Sequence, residues 1–198
     1  MFVQVIKGRT RDAEGIRRRN EAWRKEVRPG ATGFLGSTAG VAADGTFIAI
    51  ARFADEASAR ANSERPEQSA WWAETAKLFE GEPSFRESSD VSLLFDGGSD
   101  QAGFVQVMEG RVTDRAKLES MESEELLGKL RAARPDLIGS LRVWFPEGAF
   151  VDTAYFTNEA DARKGESSGE FSGPQQEYGS LFAEMTFVDL GDPMFSGP

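Results

Sequence analysis

The sequence predicts an α+β protein in which one folding unit of about a hundred residues occurs twice in the chain of 198. The segment Phe2–Arg9 returns as 104–111, which is 102 residues later. The block 53–60 returns as 156–163, at a shift of 103. A shift that stays nearly constant over separate blocks indicates that both halves carry the same elements in the same order.

Each half begins with a predicted strand and a first helix. Phe2–Arg9 alternates β-forming and polar residues, which is typical of a strand with one buried face, and 104–111 copies it. Asp12 and Asp114 follow at the places of helix N-caps. Behind them, apolar residues recur at helical spacing: Ile16, Trp23 and Val27 in the first half, and Leu118, Met121, Leu126 and Leu130 in the second.

A hairpin comes next in each half. In the first half, strands over 33–42 and 46–53 are predicted on either side of the turn residues Asp44 and Gly45. In the second half the corresponding strands and turn are 138–145, 149–156 and Pro146-Glu147-Gly148.

A second helix and a last strand complete each half. Asp55 and Asn158 are good N-caps and precede acidic residues, so each is predicted to begin a helix. Pro66 interrupts the first version, and the second breaks around 167–169. A last strand is predicted within 84–95, with an irregularity at 88–90, and within 184–190. The resulting order β-α-β-β-α-β is the ferredoxin-like arrangement.

The predicted domains are residues 1–96 and 103–198, joined by a short linker over 97–102. This region is polar and rich in glycine. A four-stranded sheet with helices on one face leaves its other face bare, and the apolar residues there must be buried. We therefore expect the two sheets to pack face to face as an intramolecular barrel.

The composition narrows the classes of function. A net charge of −10 disfavours nucleic acid as a partner, and no apolar run is long enough for a membrane span. The absence of cysteine excludes disulfides and thiolate sites and suits a cytoplasmic location. The absence of histidine removes the commonest general base and the usual haem ligand.

Several of these features together resemble the antibiotic biosynthesis monooxygenase family. They are the βαββαβ order, the short Asp44-Gly45 hairpin, Phe53 at the end of the third strand, the Asp/Glu-Ala-rich helix after it, and the pair Trp71-Trp72. Members of this family have the dimeric α+β barrel fold, in which two copies usually come from two chains. The resemblance implies that this chain forms the pseudo-dimer by itself, and a further homodimer is left open.

The resemblance also implies a function. Family members of the cofactor-independent kind oxidise polycyclic phenols or quinols with O₂, without metal or flavin, in a pocket between sheet and helices. This implies a monooxygenase that needs no cofactor, or a degenerate relative of such an enzyme, with a small aromatic or hydrophobic molecule as its partner. Related proteins that bind haem through a histidine are a poor match, because this chain has none.

The family's site contains an asparagine and a tryptophan near the second helix, assisted by an arginine and a tyrosine. The catalytic candidates that the resemblance implies are Asn62, Trp71 and Arg52, and the substrate-binding candidates are Trp72, Arg86 and Trp23. The second half has Gly165 at the position of Asn62, Pro174 and Gln175 at those of the tryptophans, and Tyr155 at that of Arg52. The site is therefore predicted in the first half only.

Each candidate also has a structural interpretation. The tryptophans could serve packing alone, and Asn62 could be a local helix cap. Arg52 shares a strand face with two isoleucines, so it needs an anionic partner or ligand if that face is buried. Asp152 aligns with Ala49 and is expected to be either exposed or paired. The alternative function is a non-catalytic protein that binds a small hydrophobic ligand or pairs with another protein.

Overall fold

A computed structural model describes residues 1–167 and 174–197. The chain forms two compact units. Each contains a five-stranded antiparallel sheet and α-helices, so the predicted α+β class and the repeated ferredoxin-like unit are confirmed. The face-to-face packing of the sheets stays a prediction. None of the helices within the described ranges has both the length and the apolar composition that crossing a bilayer requires.

The strands and helices have the following bounds. The strands are β1 Phe2–Arg9, β2 Phe34–Val41, β3 Thr46–Phe53, β4 Ser84–Ser88, β5 Val91–Leu94, β6 Phe104–Val112, β7 Leu137–Trp144, β8 Ala149–Phe156, β9 Phe182–Leu190 and β10 Met194–Ser196. The α-helices are α1 Ala13–Ala22, α2 Glu56–Ser63, α3 Pro66–Ala76, α4 Arg115–Met121, α5 Glu124–Ala133, α6 Glu159–Ser167 and α7 Pro174–Gly179. The strand orders are β10-β2-β3-β1-β4 in the first sheet and β5-β7-β8-β6-β9 in the second.

The predicted N-caps and hairpin turns are present. Asp12, Asp55, Asp114 and Asn158 each accept a hydrogen bond from the backbone N–H three residues later, at 2.7 to 2.9 Å. The first hairpin turns at Gly45, where φ is +88° and a Cβ would lie 2.6 Å from the Thr10 carbonyl oxygen. Only glycine fits there without strain.

The first helix differs between the units. α1 continues without interruption through a π-helical turn, Trp23–Val27, and a 3₁₀ turn, Arg28–Gly30. In the second unit the predicted single helix is two helices, because the chain leaves helical geometry at Glu122 and Ser123 caps α5. The predicted break in the second unit's later helix lies, at residues 168 and 169, outside the described residues.

The strand predicted within 84–95 is in fact two strands that belong to different sheets. β4 pairs with β1 in the first sheet, whereas β5 joins β7 in the second. Conversely, β10, which the sequence did not predict, pairs with β2 in the first sheet. Each short strand covers a sheet edge that would otherwise expose unpaired backbone groups.

This exchange moves the boundaries of the compact units. The first unit comprises Met1–Val91 and the segment after Gly191, and the second comprises Ser92–Gly191. The predicted boundaries at 96 and 103 fall within the second unit instead, because β5 and the residues that follow it belong there.

Candidate functional site

The first unit contains a cavity of about 100 Å³ between its sheet and its helices. One water molecule needs roughly 10–15 Å³ on the same measure, so the space suits something larger. Its apolar lining residues lie on strands β1, β2, β3 and β10 and on α1: Ile6, Ile16, Phe34, Ala39, Phe47, Ala49, Ala51, Phe53 and Met194. Such an apolar concave lining is typical of small-molecule sites.

The polar residues around the cavity are all uncharged. They are Gln4, Asn20, Ser37, Asn62, Gln68 and Thr75. None of the described residues that line the cavity carries a charge at neutral pH. A charged ligand would lose its hydration without gaining an ion pair from the lining, which is costly. The cavity therefore suits a neutral molecule with a few hydrogen-bonding groups.

Three of the predicted site residues supply indole rings to the cavity. The ring centroids of Trp23 and Trp71 are 6.4 Å apart, and those of Trp71 and Trp72 are 6.0 Å apart. The Trp23 indole N–H donates to Gln68 Oε1 at 2.7 Å, and that of Trp71 donates to the Arg19 carbonyl at 2.7 Å. Because these donors are satisfied by protein groups, the rings can offer flat apolar surfaces to a ligand.

Asn62, on α2, is 6% exposed and lines the same cavity. Its Oδ1 accepts from Arg65 at 3.2 Å, and its Nδ2 donates to Gln68 Oε1 at 3.3 Å. Arg65 is itself anchored by donating to the Val27 carbonyl at 2.9 Å. The amide is therefore oriented by side chains of the site, and its oxygen does not cap the backbone of α2.

The other two candidates, Arg52 and Arg86, are not brought to the cavity. Arg52 is in register with Val3, and Arg86 with Val5. The lining residue Gln4 alternates with these valines along β1, so it points to the opposite face of the sheet. The sheet therefore separates both arginines from the cavity. Arg52 Nε is buried and has no hydrogen-bond partner among the described residues.

Sequence reasoning missed several lining residues. Gln68 lies three and four positions before Trp71 and Trp72, so helical spacing could have placed it on their face of α3. Met194 could not have been found in this way, because it reaches the cavity only through the pairing of β10 with β2.

The second unit has a buried ion pair at the corresponding place. Ala39 and Ala49 are opposite each other across the first hairpin, and Arg142 and Asp152 are opposite each other across the second. Asp152 Oδ2 accepts from Arg142 Nε at 3.0 Å and from Nη2 at 2.8 Å. Arg142 is only 2% exposed. Asp152 is thus paired, one of the two outcomes the sequence allowed.

Two further residues complete this buried cluster. Glu122 and Tyr178 occupy the positions that Asn20 and Thr75 have in the first unit. Glu122 Oε1 accepts from Arg142 Nη1 at 2.6 Å and from the Tyr178 hydroxyl at 2.7 Å. Burial raises the pKa of the Tyr178 phenol, although Arg142 opposes this, so the hydroxyl stays protonated. Burial alone would lower the pKa of Arg142, but Asp152, Tyr178 and Glu122 raise it.

The position of Asn62 also has different surroundings in the second unit. A Cβ at Gly165 would overlap the guanidinium of Arg134. Arg134 is buried and donates to both carboxylate oxygens of Asp136, at 3.0 and 2.8 Å. The second unit therefore has charged side chains where the first has Asn62 and open space.

Comparison with known proteins identifies the fold. No protein-family model matches the chain, and no curated protein sequence matches it. Solved structures do match over nearly its whole length, and they show that the chain has the monooxygenase-like α+β fold that the sequence resemblance implies.

Three of these structures are proteins of similar length. Two are each described as a "putative monooxygenase". The one from Fusobacterium nucleatum has 10% identity and a TM-score of 0.76, and covers 99% of this chain and 94% of its own. The one from Lactobacillus acidophilus has 12% identity and a TM-score of 0.71, and the match covers 99% of this chain and 96% of the other. An anthrone oxidase-like protein has 9% identity and a TM-score of 0.65, and the match covers 100% of this chain and 94% of the other. Likeness at this identity shows the fold alone.

Proposed function

We propose that the first unit binds a small neutral aromatic molecule in its cavity and oxidises it with O₂ as a cofactor-independent monooxygenase. The observation that carries the proposal is the cavity itself, lined by three indoles and an oriented amide. At the corresponding place the second unit has the hydrogen-bonded side chains of Arg142, Asp152, Glu122 and Tyr178. Neutral side chains border this place in the first unit and charged ones occupy it in the second, and this difference supports a use for the first unit's cavity.

The lining supports an aromatic ligand with a hydroxyl or carbonyl group. Trp23, Trp71 and Trp72 supply surfaces on which a ring can pack. The amides of Asn62 and Gln68 lie side by side and supply the hydrogen-bonding end. We assign substrate positioning to the three tryptophans.

The proposed reaction converts a phenol with a free ring C–H into a quinone. Phenol itself shows the balance: C₆H₆O and O₂ give C₆H₄O₂ and H₂O. One oxygen atom forms the new C=O bond and the other leaves as water. The substrate supplies the electrons that reduce O₂. Its hydroxyl proton passes to solvent, and the resulting oxyanion accepts a hydrogen bond from the Asn62 amide, which stabilises the developing charge.

A second candidate function is ligand binding without turnover. The observation that favours it is that no lining residue among those described is ionisable near neutral pH. No side chain of the cavity can therefore act as a strong general base for the phenol proton. Arg52 and Arg86 do not fill this role, since they lie on the other face of the sheet.

Oxygen consumption over a panel of phenols and quinols tests the proposal. We expect turnover by the wild type and a loss of roughly 10²–10³ in kcat for Asn62→Ala, as for other oxyanion donors. Trp71→Ala is expected to raise KM. Arg86→Ala is the matched control and should leave both constants unchanged. Turnover of no compound, or equal turnover by wild type and Asn62→Ala, would exclude the oxygenase.

A further inference from the structure

One wall of the cavity comes from a distant part of the chain. All its other lining residues lie between Gln4 and Thr75, whereas Met194 belongs to β10. Met194 is 7% exposed and packs with Ile16, Ala39, Phe47 and Ala49. The C-terminal strand therefore completes the cavity of the first unit.

The position of Met194 is fixed by its strand. Met194 pairs with Ala39, which is small and leaves room for the longer side chain beside it. Contacts on both sides hold this short strand in place. Asp192 forms an ion pair with Arg17, and the Gly197 carbonyl accepts from Arg28 Nε at 3.2 Å.

Methionine suits a wall that adapts to a ligand. Its unbranched side chain has several rotatable bonds, and its thioether makes favourable contacts with aromatic rings. The other walls on this side are Ala39 and Ala49, which can hardly be made smaller. Met194 is thus the large, adjustable group that limits the space above the alanine pair.

We propose that Met194 determines the size of the aromatic ligand that the cavity accepts, and that β10 is therefore a specificity element of the first unit. This rests on the proposed ligand cavity but does not require turnover. Shortening Met194 should admit a larger ring system, while leaving the hydrogen-bonding end at Asn62 and Gln68 unchanged.

Calorimetric titration with phenol, 2-naphthol and anthracen-2-ol tests this, because the three probes share one hydroxyl and differ in the number of fused rings. We expect Met194→Ala in the full chain to lower the Kd of anthracen-2-ol relative to that of phenol by about tenfold, the scale of a size change in an apolar pocket. Met194→Leu keeps the side-chain volume, so it should keep the wild-type ratio of the Kd of anthracen-2-ol to that of phenol. Phe195→Ala perturbs the same strand on its other face and should keep it too.

The outcomes separate this inference from the proposed oxygenase. A shifted ratio without oxygen consumption supports the role of Met194 and excludes catalysis with these phenols. An unchanged ratio in Met194→Ala overturns the inference even if phenols are oxidised. If Phe195→Ala shifts the ratio as much as Met194→Ala, strand disruption is the cause and the inference is overturned. Failure of all three probes to bind overturns it as well.

Discussion

The two units use the same place in the same fold in opposite ways. In the first, Ala39, Ala49, Asn20 and Thr75 border a cavity. In the second, the corresponding residues are Arg142, Asp152, Glu122 and Tyr178, and they form a buried hydrogen-bonded cluster. Here a few side chains decide whether this place in a ferredoxin-like unit is bordered by neutral or by charged groups.

Other features are the same in both units, and they serve the fold. Glu87 accepts from Gln4 at 2.7 Å and also pairs with Arg60. In the second unit Asp189 accepts from Gln106 at 2.9 Å and pairs with Arg163. Each arginine also lies over the phenylalanine with which β1 or β6 begins, Phe2 or Phe104. These contacts are thus kept in both units, although the residues around the cavity differ.

The largest expected effect comes from breaking the buried cluster of the second unit. Asp152→Ala leaves the Arg142 charge buried without one of its two carboxylate partners. We therefore expect the free energy of unfolding to fall by about 3–5 kcal/mol. Urea denaturation measures this. The triple variant Arg142→Met, Asp152→Ala, Glu122→Gln removes all the charges together and should cost less than the single change. If the triple variant is the less stable one, the cluster is not held by charge pairing.

Exchanging Asn62 and Gly165 should give a smaller effect. Gly165→Asn overlaps the Arg134 guanidinium and should destabilise the protein by about 1–3 kcal/mol. Asn62→Gly should cost about 1 kcal/mol as a helix glycine and weaken 2-naphthol binding as well. Thermal unfolding and titration separate the two effects. A loss of ligand binding in Gly165→Asn equal to that in Asn62→Gly would contradict a site confined to the first unit.

The smallest expected effect concerns the ion pair of Glu87 and Arg60, which has a counterpart in the second unit. Burial tends to raise the pKa of Glu87, but hydrogen bonds from Arg60 and Gln4 outweigh it and lower the pKa below 4.5. Ionised Glu87 therefore stabilises the folded state above pH 4.5. This stabilisation is lost as the pH falls through the lower pKa that Glu87 has in the folded protein. Glu87→Gln should cost about 1 kcal/mol or less at pH 7 and almost nothing at pH 2. A cost that is equal at both pH values would rule out the ionic contribution.

The repeat made most of the fold predictable, because the strands, hairpins and N-caps depend on local pattern. The exchange of β5 and β10 was not predictable, since these strands of four and three residues are too short to show alternation and their partners are distant in sequence. The family resemblance pointed to Asn62 and the tryptophans, and the structure places them around the cavity. Arg52 was misplaced because strand alternation tells which residues share a face but not which face bears the helices.

The central proposal is that the open cavity of the first unit is the ligand site and that the charged cluster of the second unit prevents binding at the corresponding place. The most direct test gives the first unit the residues of the second, in the variant Ala39→Arg, Ala49→Asp, Asn20→Glu, Thr75→Tyr, and titrates it with 2-naphthol. The account predicts one bound molecule per wild-type chain and none for the variant, with cooperative unfolding retained. Two molecules per wild-type chain, or unchanged binding by the folded variant, would contradict it.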